Sequence, residues 1–196
     1  MNARIVKYLK AYNVLQFCGW SFAFLLLFYN NMVALYCIAI FQVFSILEIL
    51  HALKKWNNTS PVFCALQISA RLLILILSWQ LSEYCMLYPV PYYNIILSIL
   101  FTAWCIAEIT RYSYYISELT TRQSEILAWL RYSVFLICYP LGLVCEAFIL
   151  VKFFMLSAFL WVKFLLILVL IAYAIAFPML YLHLLRQRKR KLNGKR

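Results

Sequence analysis

Glycine and proline are scarce in these 196 residues, at three and five, too few for an all-β fold with its many tight turns. Aspartate is missing: the six acids are Glu48, Glu83, Glu108, Glu118, Glu125 and Glu146. Histidine occurs only at 51 and 183, and the seven cysteines form no C-x-x-C pair, so no metal site is signalled. The cysteines sit in or beside apolar runs, where they act as small hydrophobes. Charged residues are 12% of the chain, the apolar set is 67% and the mean hydropathy is +0.88. Soluble domains average about half apolar. The composition therefore excludes a water-soluble globule and predicts an all-α integral membrane protein.

The formal net charge is +12, yet its distribution argues against nucleic acid. Much of it lies in the tail, at Arg186, Arg188, Lys189, Arg190, Lys191, Lys195 and Arg196. A basic stretch directly after an apolar run is the mark of a cytoplasmic anchor at anionic lipid. Arg4, Lys7 and Lys10 precede the first apolar run, which is long and lacks an A-x-A-like cleavage site. It reads as an uncleaved span.

Six runs of roughly 20 apolar residues, the length that crosses a bilayer, occupy about 11–29, 32–53, 61–79, 91–115, 126–151 and 156–185. The breaks fall at Asn30-Asn31, 54–60, 80–89, 117–125 and 152–155. The expected architecture is one six-helix transmembrane bundle over 1–185 and a basic cytosolic tail over 186–196. An even count puts both termini on one side. That side gathers Arg4, Lys7, Lys10, Lys54, Lys55, Arg122 and the tail, whereas the other has Lys152, with Lys163 inside the last run. This bias predicts cytosolic N- and C-termini. The overlapping sequons in Asn57-Asn58-Thr59-Ser60 then stay unglycosylated. No internal repeat is evident, which weighs against the inverted-repeat transporters.

Ionisable groups inside spans are functional candidates by default. Arg71 falls roughly eleven residues into the third span, near mid-bilayer at ~1.5 Å per residue. Glu48 and His51 share one face of the second span. The fourth span ends with Glu108, Arg111, Tyr112, Tyr114 and Tyr115; the first two can pair at i, i+3, and the tyrosines can form an interfacial belt.

The fifth span carries the main constellation. Tyr139 and Glu146, seven residues apart, share a face about 10 Å apart along the axis. Between them Pro140 removes a backbone hydrogen bond and Gly142 permits close approach. A carboxylate withdrawn from water is a stronger base when ionised, and a phenol donates to an oxygen that gains charge. Such a pair suits elimination better than hydrolysis. A kinked helix with Glu146 paired to Arg71 and Tyr139 as filler is equally compatible with the spacing.

Taken in order, several segments resemble one family. They are Tyr12-Asn13, Gly19-Trp20, Leu47-Glu48-Ile49-Leu50-His51, Ser60-Pro61 and Gln67-Ile68-Ser69-Ala70-Arg71. More specific are Glu108-Ile109-Thr110-Arg111-Tyr112-Ser113 and Leu130-Arg131-Tyr132-Ser133, leading to Tyr139-Pro140-Leu141-Gly142 and Glu146. The chain resembles the six-span very-long-chain (3R)-3-hydroxyacyl-CoA dehydratases, also described as protein-tyrosine-phosphatase-like proteins. The resemblance implies a cofactor-free hydro-lyase of the endoplasmic-reticulum membrane. It would convert a long-chain (3R)-3-hydroxyacyl-CoA to the trans-2-enoyl-CoA, the third step of very-long-chain fatty acid elongation. Its neighbours would be membrane lipid and the other elongation enzymes: condensing enzyme, ketoacyl reductase and enoyl reductase. The resemblance places the catalytic pair on Tyr139 and Glu146. Arg71, Arg111, Arg131, Tyr132 and Gly142 match family positions that support the site or steer the thioester, and Glu108 and Tyr112 lie in the matching segment.

Three rivals are weighed against this reading. Cys105 and Arg111 have the C-x5-R spacing of a phosphatase, but the intervening Ile-Ala-Glu-Ile-Thr is helical and glycine-free, unlike the loop of free N–H groups that cradles phosphate. A small carrier would want a repeat and a polar path. A catalytically inactive adaptor of the elongation complex would have little use for an intact Tyr139 and Glu146.

Overall fold

The computed structural model describes residues 2–57, 59–88, 90–120 and 124–193, the side chains of 183 and 190–193 excepted. Asn58, Pro89, Arg122, Lys195 and Arg196 lie outside the described residues, as do the side chains of His183, Arg190 and Lys191. Among the described residues every regular element is a helix: α1 (Ala3–Leu26), α2 (Asn31–Phe44), α3 (Leu47–Leu53), α4 (Pro61–Leu87), α5 (Tyr93–Leu119), α6 (Glu125–Leu156) and α7 (Leu160–Asn193).

Polar caps start several of them. The Asn2 side chain accepts from Arg4 N, Asn30 accepts from Met32 N and Val33 N, and Ser124 accepts from Leu127 N, satisfying amides that the first turn leaves free. Pro61 opens α4, a position where its missing N–H costs nothing.

Two expected breaks are helical. The 80–89 stretch belongs to α4 as far as Leu87. Gln80 and Glu83 are exposed while Ser82 is buried and bonds the Tyr93 hydroxyl at 2.8 Å, so these polar residues serve a helix face and do not end it. The 152–155 stretch lies within α6. Lys152 sets its ammonium 5.5 Å from the Phe148 ring, and one lysine with an apolar stem is compatible with a continuous helix. Conversely, the expected run 32–53 is interrupted at Ser45-Ile46. There Ile46 N, Glu48 N and Ile49 N bond three residues back, and Gln16 Nε2 of α1 donates to the Phe41 carbonyl at 3.3 Å. The basic tail continues α7 as helix to Asn193.

Among the described residues five stretches are long and apolar enough to cross a membrane: Asn31–Leu53, Pro61–Leu87, Tyr93–Leu119, Glu125–Leu156 and Leu160–Lys189. The expected sixth, α1, has the length at 24 residues but carries Asn13 and Gln16 in its middle. Both of these are buried inside the bundle.

At the centre lies α5, packed on α1, α2 and α6, while α4 closes the bundle against α2, α3 and α6, and α7 rests on α6. Trp20, Ile38, Leu97, Leu100, Phe101, Trp104, Ile149 and Leu150 form the core. Close contact between α1 and α2 depends on Gly19, where a Cβ would stand 2.1 Å from the Phe41 ring. The outer faces are apolar, with Ile76, Ile95, Ile137, Val144, Ile171, Ile175 and Met179 all exposed.

Candidate active site

Three glutamates lie inside the bundle, and two of them are neutralised. Arg111 of α5 donates to both Glu48 oxygens at 2.8 Å and stands 2.6 Å from a Glu108 oxygen. Arg71 of α4 donates to the other Glu108 oxygen. The Tyr112 hydroxyl accepts from Arg111 and donates to Glu48. The Tyr12 hydroxyl also points to Glu48, at 3.4 Å, and accepts from Gln16 at 3.0 Å. Two guanidiniums thus face two carboxylates that are 6% and 2% exposed. Charges removed from water persist only when paired in this way, although the buried Arg111 Nε has no hydrogen-bond partner among the described residues. A cavity the size of a water molecule adjoins this network, between Gln42, Ser45, Cys64 and Gln67. The interruption after α2 serves the network, because it sets the short α3 with Glu48 opposite Arg111. His51, on the same face of α3 as Glu48, shares its bond with the Tyr8 hydroxyl at 3.0 Å.

Glu146 is built differently. Its Oε1 accepts from the Trp104 indole Nε1 of α5 at 3.1 Å, and its Oε2 accepts from the Tyr173 hydroxyl of α7 at 2.8 Å. Among the described residues no cation lies within ion-pair reach of it. Arg71, the partner considered from sequence, is instead bound to Glu108 and lays its guanidinium 5.0 Å from the Trp104 ring. Glu146 is partly buried and leans back along α6, as helical side chains do. A Cβ on the buried Gly142, one turn earlier, would stand 3.8 Å from Glu146 Oε1 and 3.8 Å from Trp104 Nε1.

The Tyr139 ring lies parallel to Phe177 at 5.1 Å and to Tyr181 at 6.2 Å. Tyr139 and Glu146 therefore both address α7, as their two-turn spacing requires, though no hydrogen bond joins them. Pro140 lies within the continuous α6.

The remaining sequence candidates fall into separate groups. Arg71, Glu108, Arg111 and Tyr112 are one network, and Gly142 adjoins Glu146. Arg131 and Tyr132 stand apart, near the start of α6. The Arg131 guanidinium donates to Tyr115 OH at 3.0 Å and lies against the rings of Tyr114 and Tyr115 at 5.4 and 4.6 Å. Arg188 of the tail donates to Ser133 at 3.4 Å. Sequence reasoning missed Trp104 and Tyr173. Trp104 stands four residues before Glu108, a usable helical signal. Tyr173 carries none, since its partner is 27 positions away.

The profile of the family described as "Protein tyrosine phosphatase-like protein, PTPLA" matches residues 42–194. A Canis lupus familiaris protein named very-long-chain (3R)-3-hydroxyacyl-CoA dehydratase 1 is 33% identical over 79% of this chain and 66% of its own length. The Caenorhabditis elegans protein named very-long-chain (3R)-3-hydroxyacyl-CoA dehydratase hpo-8 is 29% identical over 97% of this chain and 96% of its own. A probable dehydratase of the same name from Schizosaccharomyces pombe is 28% identical, with 94% and 92% covered. The chain thus spans just under two thirds of the dog relative and nearly all of the nematode one. No solved structure matches it. With most of its length matched by the profile, this chain belongs to the protein tyrosine phosphatase-like (PTPLA) family.

Proposed function

We propose that this chain is a hydro-lyase that removes water from a long-chain (3R)-3-hydroxyacyl-CoA to give the trans-2-enoyl-CoA. The names of its relatives support the substrate class. One observation of the structure supports the chemistry: of the three glutamates inside the bundle, only Glu146 is held by neutral donors alone. Glu48 and Glu108 are each bound to guanidinium, which makes an ionised carboxylate a poor base. Glu146 keeps its negative charge available.

In the proposed reaction Glu146 takes a proton from C2, and that bonding pair becomes the C2=C3 double bond. The C3–O bond breaks as the departing hydroxyl takes the Tyr139 phenol proton, so water leaves. The proton on Glu146 then returns to the Tyr139 phenolate before the next turnover. The acyl chain would lie along the α6–α7 face, and Arg71, Arg111, Arg131 and Tyr132 would hold the site or steer the CoA thioester. We further propose that α1 crosses the membrane too. Its polar Asn13 and Gln16 face the bundle and not lipid, so its low apolarity does not oppose insertion. Six spans then leave both termini in the cytosol. Residence in the endoplasmic reticulum beside other elongation enzymes belongs to the same proposal.

A phosphatase mechanism has no support: Cys105 is fully buried, and Arg111 is committed to Glu48 and Glu108 within the same continuous helix. The alternative is an inactive adaptor of the elongation complex. Dehydration of a long-chain 3-hydroxyacyl-CoA by the purified protein separates the two. Tyr139→Phe and Glu146→Gln keep shape and remove the proton-transfer group, and each is expected to lower turnover about a hundredfold or more, the scale of acid–base catalysis. Folded wild type without activity, or both variants as active as wild type, would bring the adaptor forward.

A further inference from the structure

We infer that Trp104 and Tyr173 are positioning residues that hold the Glu146 carboxylate by both oxygens, from the two helices flanking α6, and present it to the space over Gly142. This rests on the dehydratase reading above. A glutamate side chain has three rotatable bonds, and a base that must meet one C–H bond needs a fixed direction. Trp104 Nε1 fixes Oε1 at 3.1 Å and the Tyr173 hydroxyl fixes Oε2 at 2.8 Å. Each oxygen keeps a further lone pair for a proton.

Both donors are neutral, so they orient the carboxylate without cancelling its charge. The indole is itself braced, with the Arg71 guanidinium 5.0 Å from its ring and Arg71 bound in turn to Glu108. Tyr173 belongs to a stripe on α7. Phe177 and Tyr181, four and eight residues on, lie parallel to Tyr139, so one face of α7 sets both members of the acid–base pair. A Cβ on the buried Gly142 would sit at van der Waals distance, 3.8 Å, from both Oε1 and the indole nitrogen, so the glycine leaves room for one carbon beside the carboxylate. A substrate C2 arriving there would meet the base.

The test is steady-state turnover of a 3-hydroxyacyl-CoA and of its 2-deuterated form by the purified full-length protein. The variants are Tyr173→Phe, Trp104→Phe and Glu146→Gln, with Tyr36→Phe, an exposed tyrosine of α2, as control. Loss of one hydrogen bond to a charged acceptor is expected to lower kcat about tenfold in Tyr173→Phe and Trp104→Phe, with KM within about twofold. The deuterium isotope effect on kcat should rise in both, because C–H cleavage becomes the slower step. Tyr36→Phe should match wild type. The inference is overturned if both variants keep wild-type kcat and isotope effect while Glu146→Gln is inactive; the dehydratase reading then survives alone. It is equally overturned if they lose activity with an unchanged isotope effect and a lowered thermal midpoint, the pattern of a merely structural role. An active Glu146→Gln would instead overturn the dehydratase reading, and this inference with it.

Discussion

Two buried glycines show how differently one residue type is used. At Gly19 an added methyl would stand 2.1 Å from the Phe41 ring, a distance no packing adjustment smaller than moving α2 or that ring can accommodate. Gly19→Ala is expected to destabilise the folded protein by about 1–3 kcal/mol, the range for an overpacked core. A lowered thermal midpoint in detergent would register it, and pairing the change with Phe41→Leu should recover part of the loss. At Gly142 the same methyl meets nothing closer than 3.8 Å. Gly142→Ala should therefore leave the thermal midpoint at the wild-type value yet lower kcat/KM, if Glu146 acts as proposed, because the methyl would sit beside its carboxylate. Equal thermal losses at the two positions would contradict this division.

Among the elements, the broken rod α2–α3 and the long α7 differ most from expectation. Nothing in the run 32–53 signals an interruption: Ser45 is one small polar residue, and Gln42, Glu48 and His51 are equally compatible with a continuous helix. The break is stabilised from α1: Gln16 Nε2 reaches the Phe41 carbonyl and Ser45 Oγ at 3.3 and 3.4 Å, and the Tyr12 hydroxyl reaches the Phe44 carbonyl at 3.3 Å. Gln16→Leu keeps most of the volume and leaves these buried acceptors without that donor. A loss of about 1–3 kcal/mol is expected, read as a lower unfolding midpoint, and a midpoint at or above wild type would show the break to be independent of α1. The last helix, α7, is anchored differently. It leaves most of its apolar surface outward, and among the described residues its polar side-chain links include the Tyr173–Glu146 and Arg188–Ser133 bonds.

On the scale of the whole molecule, the bundle is apolar outside and charged within, the inverse of a soluble protein. That arrangement follows from lipid as solvent, where exposed side chains need no charge and buried ionic groups need complete partners. The proposed topology places 54–60 on the cytosolic side and the turns at Asn30 and Ser157 on the opposite side. Protein made in microsomes should carry no glycan on Asn57 or Asn58, whereas an acceptor sequon inserted with a spacer at Ser157–Phe159 should be modified. Endoglycosidase-sensitive gel shifts distinguish the two, and the reverse pattern would invert the orientation.

Much of this was legible in the chain itself. A 67% apolar composition dictates a membrane solvent. That solvent admits only helices or closed barrels, because every backbone group must find a partner within the protein, and three glycines and five prolines are too few for a barrel's turns. Helical geometry alone also puts Tyr139 and Glu146 on one face, and the cost of charge in lipid marks Arg71, Glu108 and Arg111. The Glu108–Arg111 pair was legible too, from its i, i+3 spacing, but pairing between helices was not. Arg71 meets Glu108 across 37 positions and Arg111 meets Glu48 across 63, although Glu146 was as reasonable a partner for Arg71. Trp104 and Tyr173 reach Glu146 across 42 and 27 positions. Contacts between helices depend on the height and rotation of one rod against the next. Close packing sets these, as at Gly19 and Phe41, and no periodicity within a single helix records them. The tertiary structure alone decided which carboxylates are paired with guanidinium and which is held by neutral donors.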